Sequence, residues 1–410
     1  MRNEKMTNAF GYVIRFTEVY LLFYFIIFTG FRYQIARPDI LATQSFILMI
    51  LMVVWLLYLL VQKESPGLPV NPGIYLIYAC FYLSSLFGSV DIGLSLPEGY
   101  LFFVACFLFV GVLSLIRYGW SRRDLLDSLL WVGLIYTVMK GVQIIAGIPE
   151  IGYCSRQGAI VANKSGGFLA LVMVISLSIW LTRKDRKERL SLITFIGSVV
   201  VWFMVGSRGA YIGGVAGVAV VLLVHTIITG RWKWKNVALV VSALLVLPII
   251  GTAVFRPSTC IAVNEAGEII ERDSIAWDHN ISVRGRLWGT ALDVFREYPL
   301  KGAGPGTFPL FTGPDFDYRK YIAHSHSIYM NVLAERGLIG LVMSGIVIIS
   351  MLRLLLFGGM DPVYKLVGVG VLVVTLGQGA VDVILSEPFV MRYLFVVLAV
   401  AVGPKLDNGE

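Results

Sequence analysis

His324-Ser325-His326-Ser327-Ile328-Tyr329-Met330-Asn331-Val332-Leu333-Ala334-Glu335-Arg336-Gly337-Leu338-Ile339-Gly340 carries a polar loop straight into an apolar run that continues to residue 356. One bilayer crossing needs roughly 20 mainly apolar residues, so the stretch predicts a membrane helix. Two of the chain's four histidines stand at its mouth. An unperturbed imidazole titrates at about 6.5, so a histidine in that position can take up a proton near neutral pH. Ten residues separate His326 from Gly337.

Working outward, composition gives the same class. Apolar residues make up 57% of the 410 and charged ones only 15%, with mean hydropathy +0.78, which excludes a soluble domain. The expectation is an all-α, polytopic membrane protein with a single membrane domain over residues 1–410. A net charge of +8 could point to nucleic acid, but the cations cluster between apolar spans and read as topology signals. Trp232 and Trp234, alternating with Arg231, Lys233 and Lys235, read as interfacial anchors, and no nucleic-acid partner is expected. Arg2 and Lys5 precede the first apolar run without a small-residue cleavage site, so that span reads as an uncleaved anchor.

Punctuation by Gly, Pro and charge predicts about 12 transmembrane helices: 10–29, 39–61, 72–88, 98–116, 125–146, 165–182, 189–206, 209–228, 236–255, 326–356, 363–385 and 388–403. The seventh and eighth are parted only by Ser207-Arg208; their combined run is about twice what one crossing requires. Three basic clusters then share one side with both termini: Arg117, Arg122 and Arg123; Arg183 to Arg189; and Arg231 to Lys235. By the positive-inside rule that side is the cytoplasm. The opposite, periplasmic side receives Arg32 and Arg37, Arg156 and Lys164, Arg208, and one large loop, 256–325, between the ninth and tenth spans. Within it, Ser282 to Tyr298 reads as an amphipathic helix capped by Ser282, with Val283, Leu287, Ala291 and Phe295 on its apolar face and Pro299 closing it. Such a helix would lie on the membrane or roof a cavity. Cys154 and Cys260 both fall on the outer side, where a disulfide between them is open; Cys80 and Cys106 lie inside spans.

Arg208 follows Ser207 at the start of the eighth span, where free amides and the helix dipole favour an anion and a guanidinium would add a two-pronged clamp for phosphate. Snorkelling to headgroups is the competing reading. Arg284 and Arg286 could serve a substrate or be solvated residues of a surface helix. Gly302-Ala303-Gly304-Pro305-Gly306 lacks the strand before it and the Lys-Ser/Thr after it that a nucleotide loop needs. A His-x-His pair can ligate zinc, but no third ligand stands at a recognisable spacing, so no metal is expected. Asp382, Gln378, Glu387, Arg392 and Lys140 are costly inside a membrane and mark either a substrate path or internal ion pairs, with Arg392 a partner for Asp382 or Glu387.

Taken together, several stretches resemble the family of O-antigen ligases and polymerases. His326-x10-Gly337 is similar to the ligase signature. Val205-Gly206-Ser207-Arg208-Gly209-Ala210 resembles the family's Ser-Arg-Gly-Ala element. Arg284-x3-Trp288, an amphipathic helix and Pro299-Leu-x-Gly302-x-Gly304-x-Gly306-x-Phe308 resemble its large periplasmic loop, with Trp288 where Leu is frequent. Ala162-Asn163-Lys164-Ser165-Gly166 resembles its Asn-containing mouth of the sixth span. The likeness covers roughly residues 150–345.

What the resemblance implies is an inverting, metal-independent glycosyltransferase without a cofactor, in the bacterial inner membrane. It would move O-antigen polysaccharide from undecaprenyl pyrophosphate to a sugar hydroxyl of lipid A-core at the periplasmic face. His326 would be the base and Arg208 and Arg284 would meet the departing pyrophosphate, with His324, Arg156, Lys164 and Arg286 holding substrate. The alternatives are an O-antigen polymerase using the same donor, a protein O-oligosaccharyltransferase, and, from another class, a secondary transporter or flippase. No matching halves or paired broken helices favour the last.

Overall fold

The computed structural model describes residues 72–117, 120–146, 156–185, 187–230, 260–263, 269–272, 277–312 and 324–404, with side chains at all but 72–76, 156–162, 208, 260–263, 269–272 and 277–282. Ten α-helices occupy the described residues: α1 Pro72–Phe87, α2 Ile92–Arg117, α3 Arg122–Ile145, α4 Arg156–Thr182, α5 Lys187–Val205, α6 Arg208–Thr229, α7 Trp277–Glu297, α8 Ile328–Phe357, α9 Pro362–Gly379 and α10 Pro388–Val402. Nine of the twelve predicted spans coincide with α1 to α6 and α8 to α10; the first, second and ninth lie outside the described residues, as do the Arg231 to Lys235 cluster and Cys154. Among the described residues, seven helices are long and apolar enough to cross a membrane. Their outer faces are apolar too: Val142, Ile193, Ile227 and Ile349 are each more than half exposed, which suits a lipid surround.

Local chemistry explains the boundaries. Gly206, at φ 71°, ends α5, and the Ser207 hydroxyl accepts the Ala210 amide to cap α6, so the two short residues split what hydropathy alone would merge. The eleventh predicted span was drawn to 385, whereas α9 stops at Gly379. Beyond it the Asp382 carboxylate accepts the amide of Val383 at 2.9 Å, a local bond that competes with the helix ladder, and a 3₁₀ turn, Ile384–Ser386, follows. Two short antiparallel strands, β1 Cys260–Val263 and β2 Ile269–Arg272, were not anticipated; Cys260 pairs opposite Arg272.

At the centre stands α4, whose Phe168 to Leu177 are buried almost without exception between α5, α6 and α9. Small residues permit the closest approach, a Cβ on Gly377 falling 3.1 Å from the Cα of Gly213 on α6. Two of the basic clusters meet at one end. Arg123 is ion-paired with Asp185, and Arg183 with Asp127. Arg122, 2% exposed, donates to the carbonyls of Val400 and Ala401 at 3.1 and 2.9 Å and lies over the Tyr364 ring, capping the last turn of α10 from a neighbouring helix. Arg122→Met should therefore cost about 1.5–3 kcal/mol, the usual worth of hydrogen bonds from a charged group. A thermal unfolding midpoint unchanged from the parent protein would overturn that assignment.

Candidate active site

The opposite end of the bundle is built around a broken helix. Within α8, Gly337 sits at φ 63°, ψ −166°, so the hydrogen-bond ladder stops after Arg336 and restarts below it. The glycine-rich loop fills the gap. Leu338 and Ile339 give their amides to the carbonyls of Pro299 and Leu300, while Ala303 and Gly304 give theirs to the carbonyls of Ala334 and Glu335. Four backbone groups that would otherwise stand unpaired in an apolar setting are thus satisfied. The ten-residue spacing acquires a physical meaning: it is the length of the helical segment between the histidine loop and the break.

Against this segment packs α7. Leu287, Ala291 and Val294 are buried with Ala303, Phe308 and Ala334, and Val283, Tyr298 and Met330 close the edges. Two expectations need correction. The helix begins at Trp277 and not at Ser282, since no Gly or Pro interrupts Trp277 to Ile281, and Val294 rather than Phe295 is its innermost residue at that turn.

Above the break, the histidine loop is held by short-range bonds. Asn331 accepts the Ser325 amide at 3.1 Å, and the Ser325 hydroxyl donates to the carbonyl of Ser327 at 3.0 Å. Ser327 caps α8. His324 Nδ1 accepts the amide of His326 at 3.3 Å, and the two rings meet edge to face at 4.8 Å. His324 is buried, and burial, with His326 beside it, pushes its pKa down to about 3, so it is neutral at working pH.

His326 reaches across to the segment after α9. Its Nδ1 lies 3.1 Å from Oδ1 of Asp382. Burial alone would push that carboxyl up, but the His326 bond, both imidazoles and the Val383 amide outweigh it and hold Asp382 down at about 2. An ionised Asp382 must accept, so Nδ1 donates, and in the neutral ring the lone pair is then on Nε2. The beginning of α6 abuts the same place: a Cβ on Gly209 would lie 3.9 Å from the Asp382 Cβ. Ser207 donates to Asn163 Oδ1 at 2.8 Å, and Gln378 Nε2 donates to the Asn163 carbonyl at 3.0 Å, tying α4, α6 and α9 together beneath.

Beside the histidines opens a cavity of about 700 Å³ between α1, α2, α8, α9 and α10. His324, Asn331 and Glu98 line its polar end; Val347, Met351 and Leu398 line the far end. Arg336 enters it with its guanidinium 4.7 Å above the Tyr82 ring and 5.8 Å from that of Phe102. Glu335 is 4% exposed, and its carboxylate accepts the Phe308 amide at 3.4 Å.

The candidate residues thus fare differently. His326 and His324 meet each other, and Gly209, next to Arg208, lies against Asp382; the side chains of Arg208 and Arg156 lie outside the described residues. Lys164 forms an ion pair at 2.6 Å with Glu387, itself fully buried, so its charge is already met inside the protein. Arg284 is half-buried on α7 and Arg286 is exposed; among the described residues no hydrogen bond or ion pair joins Arg284 to His326 or Asp382. Asp382 and Glu387 stood out in the sequence as membrane charges, but their partners did not. Glu98, Glu335 and Arg336 carried no signal beyond being charges inside apolar runs.

Among the described residues, one group has the donors for a metal ion. His324, His326 and Asp382 bring ligand atoms within 4.8 Å of one another. His326 Nδ1 also bonds Asp382 Oδ1, and His324 Nδ1 accepts a backbone amide, which leaves Nε2 of each ring and Oδ2 of Asp382 as the remaining donors.

Residues 193–345 match the family model described as O-Antigen ligase. The match begins within α5, takes in Ser207-Arg208, α7, the glycine-rich loop and the histidine loop, and ends below the break in α8; Asn163, Lys164 and Asp382 lie outside it. No curated protein matches the chain.

Proposed function

We propose, on the premise that the match over residues 193–345 supports the assignment of this chain to the O-antigen ligase and polymerase superfamily, that it is an inverting, metal-independent O-antigen ligase. Its donor is polysaccharide on undecaprenyl pyrophosphate, and its acceptor is a sugar hydroxyl of lipid A-core at the periplasmic face of the inner membrane. The observation that carries the reading is the His326–Asp382 pair at the mouth of α8.

The chemistry balances. With Nδ1–H held by Asp382, Nε2 of His326 takes the proton of the acceptor hydroxyl as that oxygen bonds to the anomeric carbon. The bond from that carbon to the pyrophosphate oxygen breaks on the opposite face, inverting the centre. Charge collects on the departing pyrophosphate, and the free amides at the start of α6, with Arg208, are suited to receive it. Arg284, carried on α7 against the same segment of α8, is proposed as a second cation for the pyrophosphate.

A lipid-borne substrate suits the cavity. The α8 stripe from Ile328 to Met351 rises about 35 Å at 1.5 Å per residue, close to the ~30 Å hydrocarbon layer. The cavity, about 700 Å³ and lined at its far end by Val347, Met351 and Leu398, suits a hydrocarbon chain. The basic clusters at the far end support a cytoplasmic assignment for that end and a periplasmic one for the site.

Reconstitution with lipid-linked polysaccharide and lipid A-core is the test. Transfer should survive a chelator and fall by about 10²- to 10⁴-fold in His326→Ala, the range a positioned general base supplies. Elongation of the lipid-linked pool without transfer to lipid A-core would make the enzyme a polymerase, and loss of activity on chelation would overturn the metal-independent mechanism.

A further inference from the structure

We propose that His324 is a positioning residue, whose Nδ1 accepts the His326 amide and so holds His326 in the left-handed conformation that turns its ring onto Asp382. The inference rests on the transferase reading for its kinetic consequence, but not for its structural one.

Among the described residues His326, at φ 54°, is the one non-glycine with positive φ. Such a backbone costs of order 1 kcal/mol or more and persists only where the surroundings fix it. The fixing bonds are few. Asn331 holds the Ser325 amide, Ser325 holds the Ser327 carbonyl, and His324 Nδ1 holds the amide of His326 itself. A side-chain acceptor that takes the amide two residues on is the pattern of an Asx turn, normally made by Asn or Asp. Histidine can imitate it because Nδ1, like Oδ1 of Asn, is bonded directly to Cγ. The imitation requires a neutral ring with its proton on Nε2, and burial of His324 supplies that state at any working pH.

A substrate-binding role, the expectation for His324 from the sequence, is left to its Nε2, because the residue lines the cavity while its Nδ1 is in use. The residue is 9% exposed, and its Nδ1 is already committed to the backbone.

The full-length protein, reconstituted in lipid, carries the test in three variants: His324→Ala, His324→Asn and His324→Gln. Asn can rebuild the turn; Gln places its carbonyl one bond too far. Amide hydrogen exchange over residues 324–331 should quicken in the Ala and Gln variants and return towards the parent rate in Asn. Transfer should follow the same order. Ala and Gln should lose on the order of 100-fold in kcat, the cost of about 1 Å of misplacement, with KM for the lipid-linked donor within about twofold. Asn should stay within about fivefold of the parent in kcat. An Asn variant no better than Ala in both readouts, or a loss that falls on KM alone, overturns the proposal. So does parent activity that requires zinc and vanishes in Asn, which would make His324 a ligand. Should the parent transfer nothing, the transferase reading fails while the exchange measurement still decides the role of His324.

Discussion

Asp382→Asn should lower the transfer rate by about 10²- to 10⁴-fold while leaving the fold intact. Oδ1 of Asp382 takes both the His326 Nδ1–H and the Val383 amide, at 3.1 and 2.9 Å, and an Asn oxygen in its place can accept both, so the turn after α9 survives. What changes is the charge beside His326. A neutral amide no longer stabilises the imidazolium that forms as Nε2 takes the acceptor's proton. A structural role alone would instead reduce folded yield and the unfolding midpoint together. The pH dependence sharpens the distinction. Asp382 is held at about 2, below the ordinary carboxylate value near 3.9, so the stabilisation it provides is present above the ordinary value and is lost as pH falls through about 2. Asp382 therefore stays ionised from about pH 5 to 9, and the parent's rate should show no step from its titration in that window. A step there that Asp382→Asn removes would mean that the pair does not act as drawn.

The pairing of His326 with Asp382 also marks the limit of what the sequence reveals. Hydropathy finds the helices because each span has to satisfy its own backbone in lipid, and that requirement is local. The split at Ser207 is legible for the same reason: Gly206 and Ser207 act on adjacent amides. Fifty-six positions separate His326 from Asp382, and nothing along the chain says that the end of α9 returns to the mouth of α8. The chain gives Asp382 to His326 and Lys164 to Glu387, choices made by which helix ends share a side of the bundle. The spacing of His326 and Gly337 lay open to view, yet its cause did not. It becomes intelligible only once Leu300 and Gly302 are seen lodged against the broken helix.

That lodging predicts the largest structural effect. Gly337→Ala places a Cβ 2.4 Å from the Leu300 carbonyl oxygen, on a residue whose φ of 63° costs a side chain roughly 1–2 kcal/mol by itself. Since the clash is with backbone, no rotamer relieves it; the loop must withdraw. Withdrawal unpairs the amides of Leu338 and Ile339 and the carbonyls of Ala334 and Glu335, each at about 1–3 kcal/mol when buried. Losses of that order approach the whole stability of a folded protein, so the variant should give little folded material in detergent, with a lowered unfolding midpoint in what remains. Gly345→Ala, on the same helix with nothing within 4 Å of the added Cβ, is the control. It should be neutral or gain up to about 1 kcal/mol from better helix propensity. Equal behaviour of the two substitutions would mean that the loop does not seal the break, and the spacing between His326 and Gly337 would need another explanation.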